Sequence, residues 1–273
     1  PTLDASLNGA GTGNGSLKGP LMPIFGFKEA QTGGTLVGNF YDFKQLRGAK
    51  PNPDYVPKPG TGKASGLDSG ASQLAYKEVD NFVARNFSKS SLYKFFVAPD
   101  PLYTTQIFIP NMNAEDAPAA FSVEKLAKGK AWMVHYRGKI SPPTSGTYRF
   151  VGLADDIMVV RMDGRLVLDA SLSNSTKFVF DKPNYGNLRV GKAMQLQSGQ
   201  YYPIDIAISE APGGRFYAYL FVQEDGVTYE KNPDGTPILP LFRVAPGNTE
   251  QVRGAPAFMP NGPIWKALPA PKD

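Results

Sequence analysis

The sequence predicts a mainly β protein: an antiparallel, jelly-roll-like β-sandwich with a short helical insertion and extended N- and C-terminal tails. The chain of 273 residues contains 29 glycines and 25 prolines, yet 12% of its residues are aromatic. Glycine and proline interrupt helices but suit tight turns. Several short segments also alternate apolar and polar residues, which is typical of half-buried strands. Many short strands joined by turns favour a sandwich.

The strands are predicted in chain order from this alternation. The opening strand covers residues 36–43, which read LVGNFYDF. Apolar side chains then alternate with polar ones around residues 132–137, 148–150 and 204–208. Between the apolar runs 157–162 and 165–168 stands Asp163-Gly164, a pair that accepts the positive φ of a two-residue hairpin turn. This pair therefore predicts a hairpin.

Two helices are predicted between the opening strand and the later ones. Apolar residues recur at helical spacing over residues 72–87, at Ala75, Val79 and Phe82, and Ser72 is a suitable N-cap. A second short helix is predicted over residues 90–97, with its aromatic residues in the core. Both helices belong to an insertion at about 50–130.

The chain divides into three predicted parts: a glycine-rich segment over 1–35, the sandwich over 36–245 and a proline-rich tail over 246–273. The stretch NGAGTGNG within the first part has too few side chains to build a core. The tail carries four apolar anchors, Phe258, Met259, Ile264 and Trp265. Such segments dock on their own domain or on a neighbouring subunit.

Composition excludes several classes of protein. The chain has no cysteine, so it has neither disulfides nor thiolate zinc sites. The sequence has no apolar run of the ~20 residues that a membrane helix needs. The net charge of +5 comes from scattered lysines and arginines, whereas nucleic-acid binding favours a clustered basic face. The sequence begins Pro1-Thr2, so we expect that a signal peptide has been removed or was never there. We expect the protein to be secreted or on the cell surface of a bacterium.

Residues 136–171, YRGKISPPTSGTYRFVGLADDIMVVRMDGRLVLDAS, resemble the anthrax protective antigen fourteen-kilodalton domain family. The shared features are a proline-rich turn ending in Ser-Gly-Thr-Tyr, a strand ending in paired aspartates, and an Asp-Gly hairpin. Residues 196–222 are similar to the closing strands of the family, and residues 36–43 to its opening strand. The resemblance implies a β-sandwich that serves as an adhesin, as an accessory domain of a glycosidase, or as a structural part of a toxin.

The resemblance also implies a candidate site at Asp155 and Asp156. Sugar-binding members of the family join two aspartates by a cis peptide, so that both carboxylates hold one calcium ion that grips sugar hydroxyls. Calcium takes six to eight oxygen ligands. Asn184, Tyr185 and Asn187, in the loop KPNYGN, are expected to complete the site if the loop folds over the aspartates. Alternatively, one aspartate caps the loop through backbone N–H groups and the other faces solvent.

The sequence offers no set of catalytic residues, so we expect no enzyme. His135 is the sole histidine and lies within a predicted strand, which indicates a structural role. The first functional hypothesis is an extracellular, non-catalytic module that binds carbohydrate, with calcium at Asp155 and Asp156. The second is a structural subunit of a bacterial surface or envelope assembly, in which the tails dock on partner subunits.

Overall fold

Strands form most of the regular structure in the computed structural model, which describes residues 22–32, 34–173, 176–247 and 249–270. The helices are α1 (Met22–Phe25), α2 (Ser69–Ala84) and α3 (Asp116–Ala120). The strands are β1 (Leu36–Leu46), β2 (Lys50–Pro51), β3 (Phe95–Val97), β4 (Leu102–Thr104), β5 (Phe108–Asn113), β6 (Trp132–Ser141), β7 (Gly146–Asp155), β8 (Ile157–Met162), β9 (Arg165–Asp169), β10 (Arg189–Val190), β11 (Met194–Leu196), β12 (Tyr202–Glu210), β13 (Arg215–Glu224), β14 (Leu239–Pro240), β15 (Phe258–Met259) and β16 (Lys266–Pro269).

Two antiparallel sheets make up the sandwich. The first has the order β2-β1-β6-β12-β8-β9, with β3 and β4 also on β1 and with β16 on β6. The second has the order β10-β7-β13-β5, with β11 also on β7. A short parallel pair, β14 and β15, forms a separate two-stranded sheet. The chain therefore passes from the second sheet to the first between β7 and β8, and back again between β12 and β13.

The main core lies between the two sheets. Alternate residues of β6, β7, β8, β12 and β13 fill it, together with aromatic side chains from β1 and the C-terminal segment; its members include Phe40, Trp132, Val134, Tyr136, Phe150, Met158, Ile206, Ile208, Leu220 and Trp265. Successive side chains of a strand point to opposite faces of the sheet, so every second residue faces this core. The mainly β, antiparallel fold predicted from the sequence is confirmed.

The outer faces of both sheets are also covered. Helix α2 packs on the first sheet, where Leu74, Ala75 and Val79 join a second apolar cluster with Ile157 and Ala207. The outer face of the second sheet is covered by a third cluster that includes Phe108, Tyr219, Leu239, Leu241 and Phe258. The central strands are therefore buried on two sides, which explains why β6 has a single exposed residue.

The predicted hairpin is confirmed, and both predicted helices need correction. Strands β8 and β9 pair across Asp163-Gly164, whose φ angles are 48° and 77°. The first helix begins at Ser69, because Asp68 is its N-cap and accepts hydrogen bonds from the next turn, so Ser72 lies inside the helix. It ends at Ala84, since the backbone then takes positive φ at Asn86 and Phe87.

The prediction of a helix over 90–97 is wrong. Residues Lys89–Ser91 form one 3₁₀ turn, and Phe95–Val97 is strand β3, paired with β1. Phe95 and Phe96 are nevertheless buried, as expected of core residues. The edge of β1 offers backbone hydrogen bonds, which outweigh the local helical pattern. The inserted region is thus mixed, since it also contains β4 and β5.

Both terminal parts contact the sandwich where the structure describes them. Phe25 of α1 is fully buried, and its carbonyl oxygen accepts a hydrogen bond from the Tyr136 hydroxyl at 2.7 Å. The glycine-rich stretch 8–15 lies outside the described residues. In the tail, Phe258 and Trp265 are buried, whereas Met259 and Ile264 are exposed. The tail therefore docks on its own domain through two of its four anchors. No described helix has both the length and the apolar character of a membrane span.

Candidate functional site

The candidate site lies at the end of the sandwich where the chain crosses twice between the sheets. One crossing carries Asp155 and Asp156, at the junction of β7 and β8. The other follows Glu210, the last residue of β12, and continues through Gly213 to β13. Because β8 and β12 are neighbours in the first sheet, the two crossings lie side by side.

Strand register brings a third carboxyl to the two aspartates. Ile157 pairs with Ser209, so Asp156 and Glu210, each one residue further, lie beside each other. The Asp156 carboxylate accepts a hydrogen bond from the Ala211 N–H at 2.9 Å. The Oε1 atom of Glu210 accepts one from the Gly213 N–H at 2.8 Å, and its Oε2 atom is buried without a hydrogen-bond partner. The three carboxyls therefore form one cluster, with backbone N–H groups holding two of them.

The two aspartates take different positions in the cluster. The peptide that joins them is cis, as the family resemblance implies. Asp155 pairs with Tyr217 of β13, which puts both side chains on the outer face of the second sheet. Asp155 is partly exposed, Asp156 is nearly buried, and Glu210 is fully buried. Asp155 is therefore the member of the cluster that a ligand in solvent reaches first.

The cluster carries negative charge without a balancing cation. Among the described residues, no lysine, arginine or histidine forms an ion pair with Asp155, Asp156 or Glu210. Burial and the adjacent charge of Asp156 raise the pKa of Asp155 to about 7. Burial, followed by the charge of Asp156, raises the pKa of Glu210 to about 10. Both pKa values rise because burial and a neighbouring carboxylate each disfavour the ionised form.

Two tyrosines flank the cluster. Tyr217 is half-buried, and its ring stacks on that of Tyr219 with centroids 5.5 Å apart. Burial raises the pKa of Tyr217, and the charges of Asp155 and Asp156 raise it further. On the other flank, burial raises the pKa of Tyr76 in α2 to about 12, again with a contribution from Asp156. Both phenols therefore lie in the field of the carboxylates.

The donor set suits a hard cation that prefers oxygen. In the described parts of the chain, no three His, Cys, Asp or Glu side chains are arranged as a complete metal cage. A cation held here would take the adjacent carboxylates of Asp155 and Asp156, and its further ligands would be backbone, hydroxyl or solvent oxygens. Calcium accepts such mixed sets, whereas zinc favours nitrogen and sulfur. The unpaired Oε2 atom of Glu210 adds a buried acceptor next to Asp156.

The structure does not join the KPNYGN loop to this cluster. Asn184 accepts a hydrogen bond from the Val190 N–H at 3.1 Å, and the Tyr185 hydroxyl bonds with Gln223 at 3.0 Å. Asn187 is exposed in the turn that follows. No hydrogen bond among the described residues joins any of these three side chains to Asp155 or Asp156. The loop packs on the outer face of the second sheet, where Tyr185 contacts the third apolar cluster.

Sequence reasoning missed Glu210, Tyr76 and Tyr217. A signal for Glu210 was present, because Ile204, Ile206 and Ile208 alternate inward along β12 and the same alternation directs residue 210 inward. An inward acid at the end of such a strand is unusual, since a buried charge needs a partner. Tyr76 had no comparable signal, because its position depends on the long-range packing of α2.

His135 has the structural role expected of it. It is fully buried beneath α2, where its ring contacts that of Phe82 at 4.9 Å between centroids. Its Nε2 atom hydrogen-bonds with Asp205 at 2.8 Å, and Asp205 also accepts a hydrogen bond from Arg161 Nε at 2.9 Å. Arg161 in turn donates to the Asn86 carbonyl just beyond α2. This network fixes the end of the helix on the first sheet.

Comparison with known proteins gives a family match and several similar folds. The PA14 domain model matches residues 102–236. A PA14 sugar-binding domain from an RTX adhesin is 16% identical, with a TM-score of 0.37, and the alignment covers 72% of this chain and 93% of that one. The PA14 domain of MpAFP antifreeze protein is 14% identical, with a TM-score of 0.40 and coverages of 78% and 87%.

The Epithelial Adhesin 6 A domain from Candida glabrata, solved in complex with Galb1-3GlcNAc, is 13% identical. Its TM-score is 0.40, and the alignment covers 79% of this chain and 96% of that domain. No curated protein sequence matches the chain.

Proposed function

The chain contains a PA14 domain at residues 102–236, and on that premise we propose that it is a non-catalytic module that binds an uncharged glycan through calcium. The observation that carries the proposal is the cluster at the sheet crossings, where Asp155 and Asp156 lie next to each other without an ion-pair partner among the described residues. Two adjacent carboxylates that lack a cation favour binding of a divalent oxygen-seeking ion.

Each member of the cluster has a distinct part in this proposal. Asp155 and Asp156 hold the ion, and the Ala211 N–H fixes the Asp156 carboxylate at 2.9 Å. Glu210 lies behind Asp156. Its raised pKa keeps this carboxyl protonated at neutral pH, and it would ionise and add negative charge only once a cation is bound. When bound, calcium supplies a positive centre that coordinates sugar hydroxyls, as it does in the sugar-binding relatives that the sequence resembles.

The charge of the cluster selects the class of glycan. The two aspartate carboxylates would balance the charge of a divalent ion, and no lysine or arginine of the described residues pairs with them. The loaded site is therefore not positive, and an acidic sugar has no cationic side chain to bind. Neutral hexoses with adjacent hydroxyls fit such a site better than uronic acids or sialic acids.

The same arrangement supports a binding role outside the cell. Glycoside hydrolysis needs two carboxylates on opposite sides of the bond that breaks, whereas Asp155 and Asp156 are consecutive residues on one side of the site. Calcium sites with few acidic ligands are weak and suit the millimolar calcium of the extracellular medium. We therefore propose a secreted or cell-surface location.

Replacing either aspartate with asparagine is expected to abolish the function. Asp155→Asn and Asp156→Asn each remove a charged ligand, so calcium affinity should fall by about 100-fold, which corresponds to ~2.7 kcal/mol. Calorimetric titration with calcium measures this loss directly. A glycan array probed in calcium and again in chelator should show binding by the unaltered protein in calcium alone.

Asp100→Asn is the matched control, because Asp100 is exposed and lies outside the cluster. It should bind calcium and glycan like the unaltered protein. The proposal is wrong if the unaltered protein binds no calcium at millimolar concentration, or if its array signal is the same in chelator.

Glu210→Gln is expected to lower calcium affinity by about ten-fold while the fold is retained. Groups that contact metal ligands change metal affinity by about 10- to 100-fold when they are altered. Glutamine keeps the shape of the side chain and an acceptor for the Gly213 N–H, but unlike Glu210 it cannot ionise when a cation binds beside Asp156. Calorimetry gives the affinity, and thermal unfolding without calcium should show no loss of stability. An unchanged calcium affinity would exclude Glu210 from the site.

A further inference from the structure

We propose that Tyr76, which helix α2 brings to the carboxylate cluster from outside the matched PA14 region, contacts the bound glycan and determines its specificity. This inference rests on the proposed function. Tyr76 belongs to the inserted helix, so that helix would take a direct part in glycan recognition.

The packing of α2 explains why Tyr76 lies at the cluster. The buried stripe of the helix includes Leu74, Ala75 and Val79, which share an apolar cluster with Ile157 and Ala211. Ile157 follows Asp156 in the chain, and Ala211 follows Glu210. Tyr76 comes directly after Ala75 and so lies on the flank of the buried stripe, next to the carboxyls. It is half-buried there.

The N-terminus of α2 is fixed to the same crossing that carries part of the site. The Asp68 N–H donates to the Pro212 carbonyl at 3.0 Å. A Cβ atom at Gly214 would lie 3.2 Å from Leu67 Cδ2, so the loop and the segment before the helix are in close contact. Ala211, the residue before Pro212, donates its N–H to the Asp156 carboxylate. Helix α2 and the aspartates are therefore joined to the same short loop.

The surroundings of the Tyr76 phenol indicate its orientation. Its ring packs against the apolar cluster that contains Ile157 and Ala211, the residues that follow Asp156 and Glu210, and burial followed by the charge of Asp156 raises its pKa. On the opposite flank, Tyr217 is the strand partner of Asp155. The aspartates therefore lie between two half-buried phenols, one from each side of the sandwich.

Two phenols around a polar centre match the chemistry of a neutral pyranose. A tyrosine presents an apolar ring for C–H groups and a hydroxyl that donates and accepts hydrogen bonds. A sugar bound through hydroxyls at Asp155 and Asp156 would place its neighbouring groups against these side chains. Tyr76 is thus suited to distinguish sugars by the hydroxyl next to the bound pair.

The experiment compares Tyr76→Phe and Tyr76→Ala with the unaltered protein. The probes are methyl α-mannoside, methyl β-galactoside and the uncharged glycan that binds best on the array. Tyr76→Phe should weaken glycan binding about five-fold by removing one hydrogen bond. Tyr76→Ala should weaken it about 30-fold and change the ratio between the two monosaccharides. Calcium affinity, measured separately by calorimetry, should stay within about three-fold.

Tyr93→Ala is the matched control, since Tyr93 is an exposed tyrosine beside Arg47, away from the cluster. It should leave both affinities unchanged. Glycan binding by both Tyr76 variants at the unaltered level and with unaltered preference, in protein that binds calcium normally, would overturn this inference alone. Absence of calcium-dependent glycan binding by the unaltered protein would overturn the proposed function and this inference with it.

Discussion

Replacing Trp265 with alanine is expected to lower the free energy of unfolding by about 3–5 kcal/mol, the range for removing a large aromatic side chain from a core. Trp265 is 1% exposed and contacts three aromatic rings of the main core. Its ring lies 5.0 Å from that of Tyr148, 5.9 Å from that of Phe242 and 6.2 Å from that of Phe150. Because domains have about 5–15 kcal/mol of stability, this single change should remove a large part of it. Chemical denaturation measures the difference.

The neighbouring residue supplies the control for this variant. Ile264 is 40% exposed, so Ile264→Ala should change stability by less than about 0.5 kcal/mol. The pair of variants also distinguishes the two roles that the sequence allowed for the tail. A tail that docks on a neighbouring subunit would leave the stability of the isolated chain unchanged in Trp265→Ala, and that result would contradict the docking described above.

The sequence predicts the sandwich well because one local signal decides it. Alternation in β6 and β12 requires a face toward the core and a face away from it, and each strand keeps that choice in the fold. The turn at Asp163-Gly164 is equally local, since the chemistry of two residues determines the backbone. Where a structural element depends on a few neighbouring residues, the sequence alone was sufficient to predict it.

The inserted region shows where local signals fail. Phe95 and Phe96 have helical spacing with Leu92, but their backbone pairs with β1, which lies about fifty residues earlier in the chain. The start of α2 is set by Asp68, whose carboxylate also bonds with Tyr55 and Lys130 from distant segments. No window of sequence contains those partners together.

The candidate site is divided in the same way. Asp155 and Asp156 are consecutive, so a family motif was sufficient to identify them. Glu210 joins them through strand register, and Tyr76 through the packing of a helix on a sheet. The KPNYGN loop was placed at the site by analogy, but Tyr185 packs against the third apolar cluster instead. The loop sequence is mostly polar, so it did not predict that Tyr185 would contact apolar side chains.

Replacing Asp68 with alanine is expected to lower the free energy of unfolding by about 3 kcal/mol. Loss of this one carboxylate leaves several hydrogen-bond donors without an acceptor. Its Oδ1 atom accepts hydrogen bonds from the backbone N–H groups of Lys58, Gly70 and Ala71 at 3.0–3.1 Å. Its Oδ2 atom accepts from the Tyr55 hydroxyl at 2.6 Å and pairs with Lys130 at 2.9 Å. Asp68 thus caps α2 and joins the helix to two other segments.

Asp54→Ala is the control for this change. Asp54 also pairs with a lysine, Lys77, at 3.2 Å, but both side chains are at least half exposed. Exposed pairs contribute little, so this variant should lose no more than about 0.5 kcal/mol. Equal losses in the two variants would show that Asp68 acts only as one more surface charge.

The charge of Asp68 also predicts how stability depends on pH. Burial would raise its pKa, but the hydrogen bonds from Tyr55, Lys130 and the backbone outweigh burial and hold the pKa well below the usual range. The unfolded chain protonates this carboxyl near pH 3.9. The stabilisation is therefore complete above about pH 5 and is lost as the pH falls below about 4 toward the folded pKa.

Asp68→Asn isolates this contribution from the other acids of the chain, since asparagine keeps the shape of the side chain and a capping oxygen but carries no charge. The difference in unfolding free energy between the unaltered protein and this variant should be constant from pH 7 to pH 5 and should shrink between pH 4 and pH 2.5. Denaturant unfolding across that range measures the difference. A difference that stays constant to the lowest pH would mean that the charge of Asp68 contributes nothing, and that its hydrogen bonds to α2 act as those of a neutral cap.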